Sequence, residues 1–289
     1  MHKETVISTR TDREIRKKVI TPGDFTLVPY EDSRCKITLT DVKCYNDAGT
    51  CEIEPISKIF SRSFDGNVLI GDSDSFIDKD FELVLQQMCC GETCEANLIY
   101  RNGVGTLVKQ ITCKVELREV TEEQLISDWS WERLYEAAVH HKERGVDLIK
   151  QGRTTDAFRR FNKALKMLTA TEPLDPKVVS ELVVKDMLEL KAKLYNNLAH
   201  CQLQHDEYEA TILLCDKALK IDPVNVKALY RKCTAHSGLH MYEDAWTDIQ
   251  DALRIDPNDK AAQLKANSLK PKIEKINKDY STVIKKMFG

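Results

Sequence analysis

The stretch LCDKALKIDPVN (214–225) recurs as IQDALRIDPND (249–259), placing Ala218 and Ala252, Pro223 and Pro257, and Tyr208 and Tyr242 each 34 residues apart. A period of this length accommodates one pair of helices, and a single pair cannot bury its own apolar face, so copies must stack. A third copy lies upstream in KERGVDLIKQGRTTDAFRRFNKALKML, with Gly145, Ala157, Phe161 and Ala164 at the equivalent small and aromatic positions and Thr169 where the closing proline would stand. Small residues at those positions let the two helices of a copy approach, and the proline ends the second helix so that the next can begin.

The period is that of the tetratricopeptide repeat. Between Ala164 and Ala218 the interval is 54 residues, one period plus 20, and the surplus TEPLDPKVVSELVVKDMLEL is expected to form a loop and a helix extension. Beyond the third copy Leu269, Ile273, Ile276, Tyr280, Ile284 and Met287 recur at helical steps, so 260–289 reads as an amphipathic helix whose apolar stripe caps the stack. The repeats are assigned to 138–259. Residues 121–137 form a linker and the start of the first repeat helix, because TEEQLISDWSWERLYEAA changes there from alternation to a helical period.

Residues 1–120 follow a different pattern. CKITLTDVKCY, TCEIEPISKIF, GETCEANLIY and KQITCKVELREV are short β-rich runs, and DKDFELVLQQMCCGE between them has the periodicity of one helix. Strands wrapped on a single helix make an α+β domain. The fold class expected is therefore an antiparallel sheet on one helix, followed by an all-α solenoid of three repeats and a capping helix.

Composition narrows the function. With 43 basic and 46 acidic residues the net charge of −3 provides no global attraction for nucleic acid or an anionic membrane, so charge recognition must be local. No signal-peptide core and no run of 18 apolar residues is present, which predicts a soluble intracellular protein, cytoplasmic and also nuclear. The ten cysteines contain no C-x-x-C pair. They read as reduced thiols rather than metal ligands, with Cys89, Cys90 and Cys94 as core fillers and one exposed thiol. Neither a metal nor a cofactor is expected.

Several phrases together resemble the FK506-binding-protein immunophilins that carry tetratricopeptide repeats. IRKKVITPG (15–23) is similar to that family's first strand, FELVLQQMCCGE to its helix, KVEL to its last strand, KERG to the opening of its repeats and KDYSTVIKKMF to its closing helix. The resemblance implies a bowl of aromatic side chains that twists an X-Pro bond against a barrier of about 18–20 kcal/mol. Here the bowl's indole is replaced by Phe81 and its last-strand phenylalanine by Cys113. Only Tyr100 remains on the shortened flap LIYRNGVGTLV, and Phe64-Asp65 lies too near the next strand to supply the family's Phe-Asp step. The expectation is a retained fold with a degenerate pocket and no isomerase activity, and Phe81 itself reads as a core aromatic.

The resemblance also implies a carboxylate clamp, which in this sequence falls on Lys142, Asn197, Lys227 and Arg231, with Val146 replacing a fifth, hydrogen-bonding residue. Two lysines and a guanidinium suit a carboxylate terminus, and the resemblance implies as partner the Glu-Glu-Val-Asp tail of Hsp90 or Hsp70. The resulting expectation is a non-catalytic co-chaperone or adaptor that also holds a protein client, a circadian kinase of the casein kinase 1 type. A residual prolyl isomerase and a scaffold independent of chaperones are the alternatives. The eight lysines of 260–289 admit calmodulin as a partner, but a capping helix with a solvated basic face is preferred.

Overall fold

The structure, a computed structural model, describes residues 4–50, 57, 59–60, 63–121, 126–173 and 179–288. The chain divides into two compact units, Met1–Leu125 and Ile126–Gly289.

The first unit is a seven-stranded antiparallel sheet and one helix. Its strands are β1 (Glu4–Thr9), β2 (Arg13–Thr21), β3 (Arg34–Asn46), β4 (Gly49–Thr50), β5 (Phe64–Leu69), β6 (Thr93–Arg101) and β7 (Leu107–Thr121), and the helix is α1 (Phe76–Leu85). The order is β1-β2-β6-β7-β3-β4, with β5 also pairing β3. The long β3 serves two neighbours on one edge, since Arg34–Leu39 pair β5 and Tyr45–Asn46 pair β4, while its other edge pairs β7. Alternation explains the burial. Cys35, Ile37 and Leu39 point inward from β3 and Ile111, Cys113, Val115 and Leu117 from β7, against Ile77, Phe81, Val84 and Leu85 of α1. The sequence pattern misses β1, whose ETVIST is mostly exposed and so lacks an inward face to read. The expected strand TCEIEPISKIF falls largely outside the described residues, and Ile59 and Phe60, which are described, are buried but not in a strand.

Lys17 and Glu92 form a buried ion pair in this unit. Lys17 reaches Glu92 at 2.8 Å and also donates to the carbonyl of Gln87, while Glu92 Oε2 accepts from the Cys89 amide at 3.1 Å. That arrangement ties the end of the helical segment to the sheet, and the low-dielectric interior makes such a pair costly to break from one side.

The second unit consists of α2 (Trp131–Lys150), α3 (Thr154–Ala170), α4 (Glu181–Leu203), α5 (Tyr208–Ile221), α6 (Val226–Gly238), α7 (Tyr242–Ile255) and α8 (Lys260–Phe288). Successive helices pack against one another, and α4 also touches α2 and α6. Ser130, Ser180 and Asn225 cap α2, α4 and α6 with side-chain oxygens, which satisfies amides that the first turn leaves open. The turns inside the three helix pairs place Gly152, Asp206 and His240 in the left-handed region. Asp206 and His240 stand one period apart, so the repeat is visible in the backbone as well as the residues.

Close helix approach accounts for the small residues. A Cβ on Gly145 would lie 2.5 Å from the Phe161 ring, and one on Gly238 would lie 2.5 Å from the Tyr208 ring. Ala157, Ala164, Ala218 and Ala252 are fully buried at the equivalent helix contacts. The 20-residue surplus lengthens α4 at its start, as expected, while 174–178 lie outside the described residues.

One expectation needs correction. Only the first part of α8 caps the stack, through Ala262, Ala266 and Leu269. Tyr280, Ile284 and Met287 are 55%, 57% and 71% exposed, so the later part of the stripe covers nothing among the described residues. The stripe is longer than the single repeat beneath it. Among the described residues no helix is long and apolar enough to cross a membrane.

Candidate functional site

A groove of about 870 Å³ runs along the repeat unit between α4, α6 and α8. Lys227 and Arg231 line it from α6, one turn apart on the same face. His200 faces them from α4, and Lys265 and Lys272 from α8. Like charges so close repel one another unless an anion faces them.

Arg231 is held in place. It donates to Asn196 Oδ1, and Asn196 Nδ2 donates to Asn225 Oδ1 at 3.2 Å. Asn225 in turn caps α6 and donates to Asp222 at 3.0 Å. This chain of carboxamides fixes one edge of the guanidinium without neutralising it. Burial pulls Arg231 below its ordinary pKa, and it lowers that of the His200 imidazole too, with Arg231 adding to the effect. Asn196 was missed by the sequence reading, which selected its neighbour Asn197. Asn197 is half-buried on α4 and has no side-chain hydrogen bond to a described residue.

The groove brings together two of the four expected clamp residues. Lys227 and Arg231 share its lining, and Lys142 and Asn197 do not. Lys142 lies on α2, half-buried, with Glu143 3.9 Å away. Val146, one turn further on, is partly buried and packs against the core of the first repeat.

In the sheet unit Phe81 is fully buried, with its ring edge-on to Phe60 at 5.1 Å, and Cys113 is 2% exposed on β7. Both are core residues, so a ligand would have to displace packed side chains to touch either. Phe64 rests against the core and Asp65 pairs with Arg118. Tyr100 donates to Asp80 at 3.1 Å and packs edge-on against Phe76, in a cleft of about 370 Å³ that Arg13 also lines. Arg13 pairs with the buried Asp80, so the central charges of the cleft are closed on one another. Of the cysteines singled out from the sequence, Cys89 and Cys94 are buried and Cys90 is half-exposed. Burial pushes the Cys94 thiol up to about 12, well away from thiolate chemistry.

Residues 9–122 match the family described as "BDBT FKBP like N-terminal". The human "FK506-binding protein-like" is 30% identical over 212 residues, which cover 72% of this chain and 54% of that protein. "FK506-binding protein 59" of Drosophila melanogaster is 27% identical over 220 residues, covering 72% and 47%. The crystal structure of residues 1-211 of CG17282 superposes with a TM-score of 0.54 at 25% identity, covering 72% of this chain and 97% of that one. The chain spans about half the length of the curated relatives it matches. Fold and matches together give the fold class: an antiparallel sheet on one helix, similar over residues 9–122 to FKBP-like N-terminal domains, followed by a stack of tetratricopeptide helix pairs.

Proposed function

We propose that the chain is a non-catalytic adaptor whose repeat groove takes the acidic C-terminal tail of an Hsp90 or Hsp70 chaperone through Lys142, Asn197, Lys227 and Arg231. The observation that carries this reading is the uncompensated pair Lys227 and Arg231, the arginine held by Asn196 and the lysine exposed one turn before it on the same face of α6. Neither has a carboxylate partner among the described residues, and both open onto a groove wide enough for a peptide. Neighbouring cations without counter-charge favour an anionic ligand, and a terminal carboxylate can accept from both. The sheet domain, or the outer face of the repeats, is then left to hold a protein client, within this proposal a kinase of the casein kinase 1 type. Absence of isomerase activity belongs to the same reading, because Phe60 packs on the ring that would form the bowl's floor.

Titration of the full chain with a peptide ending Glu-Glu-Val-Asp tests the groove. Binding is expected, with a loss of about 2 kcal/mol or more in the Lys227→Ala, Arg231→Ala double variant. A peptide that fails to bind, or binds the variant equally well, leaves a scaffold independent of chaperones. Acceleration of X-Pro isomerisation in a peptide assay would restore the enzyme reading. Capture from cells with wild type and the double variant sorts the partners: a kinase client retained by the variant is held outside the groove.

A further inference from the structure

The repeat period does not stop at α7. Asn197, Arg231 and Lys265 stand 34 residues apart, so Lys265 occupies in the closing helix the position that Arg231 occupies in the third repeat. The structure gives that position the same orientation, since Lys265 lines the groove with Arg231. Ala261, Lys265 and Lys272 follow one another on the groove-facing side of α8, while Ala262, Ala266 and Leu269 on the other side are buried with α7 in one core. The closing helix therefore serves as both cap and groove wall.

Charge is unbalanced along this wall. Lys265 has no carboxylate partner among the described residues, and Lys272 stands over the Tyr242 ring at 4.3 Å. The two acids of the groove lining are engaged locally. Asp259 accepts from the Ala262 amide at 3.0 Å and caps α8, and Asp206 accepts from the Tyr208 hydroxyl at 2.8 Å. At the opposite end Val146 is partly buried against the core and Lys142 lies outside this groove's lining.

We infer that Lys265 and Lys272 form a second anion subsite, which holds an acidic side chain of the same peptide whose terminal carboxylate sits at Lys227 and Arg231. The inference rests on the groove being a carboxylate-tail site. It makes the groove select tails with an acidic residue upstream of the terminus, and it moves the centre of recognition from α2 towards α8. Such a contact lies on the open side of the groove, so salt screens it strongly.

The test uses the full chain and three peptides: one ending Glu-Glu-Val-Asp, the same peptide with both Glu replaced by Gln, and the same peptide amidated at its C-terminus. The Lys265→Ala, Lys272→Ala variant is expected to bind the first peptide about tenfold more weakly at low salt, a difference of about 1.4 kcal/mol. It should bind the Gln peptide within about twofold of wild type. Amidation should weaken wild type and variant by the same factor. An equal loss for the Glu and Gln peptides, or no loss at all, overturns the second subsite while leaving the tail-binding reading intact. A wild-type chain that binds none of the three peptides overturns both.

Discussion

Each unit has a cleft bordered by arginine or lysine, and the two clefts treat their charge differently. In the sheet domain Asp80 holds Arg13 and accepts from Tyr100, and deeper in the same unit Glu92 holds Lys17. In the repeat groove Arg231 is positioned by neutral carboxamides, and Lys227 and Lys265 have no carboxylate partner among the described residues. Charge paired inside a fold fixes geometry and is satisfied before any ligand arrives. Positioned charge left without a counter-ion produces a field that another molecule can answer. In the first unit the cited charges are thus answered within the fold, whereas the repeat groove leaves cations facing solvent.

The strongest way to break this comparison is to unfold one side of it. Phe81→Ala removes a fully buried ring packed on Phe60 and should cost the sheet domain about 3–5 kcal/mol, measured by denaturant unfolding. Peptide binding by the repeats should persist where the first unit has melted. If binding falls in step with the sheet signal, the two units do not act separately. A smaller perturbation applies to the other side. Gly145→Ala places a methyl group 2.5 Å from the Phe161 ring, an overpacking of about 1–3 kcal/mol that exceeds the gain of about 1 kcal/mol from helix propensity. The repeat unit should melt earlier and the sheet unit unchanged, and adding Phe161→Leu should return part of the loss. A Gly145→Ala chain as stable as wild type would mean that the helices can separate without cost.

The repeat half was legible because its constraint is periodic. Ala157, Ala164, Ala218 and Ala252 are small for one steric reason, and that reason recurs at a fixed interval. The sheet half was legible where one face is buried, as on β3 and β7, and illegible at the exposed β1. At the groove, Lys227 and Arg231 could be placed from the repeat, yet the period could not say which residue of the Asn196-Asn197 pair turns toward Arg231. Neighbouring residues on a helix point about 100° apart, and a small rotation of α4 decides between them. Lys265 did carry a signal, one period beyond Arg231, that is easily passed over because α8 reads as a cap. The exposed end of α8 was misjudged for a related reason: amphipathic spacing reveals an apolar face but not the length of the surface beneath it.

The smallest expected effect is a pH dependence of the groove itself. His200 faces Arg231, Lys227 and Lys265 across the lining, with Asp206 nearby, and burial followed by Arg231 lowers its imidazole pKa below the ordinary 6.5. The free groove therefore keeps His200 neutral at pH 7 and protonates it only below its ordinary range. A bound tail brings carboxylates beside the ring and favours the charged form, which raises the pKa of the complex relative to the free chain. Binding then takes up a proton, so affinity rises as pH falls from about 7 towards 5.5, a range in which the tail's carboxylates stay ionised. The gain should be a few-fold. Calorimetric titration of the Glu-Glu-Val-Asp peptide at several pH values, in buffers of different ionisation enthalpy, measures both the affinity and the proton uptake. His200→Gln should flatten the profile and abolish the uptake while keeping the binding at pH 7. A profile that weakens towards acid, or one that His200→Gln leaves unchanged, would place the peptide's negative charge away from α4 and confine recognition to α6 and α8.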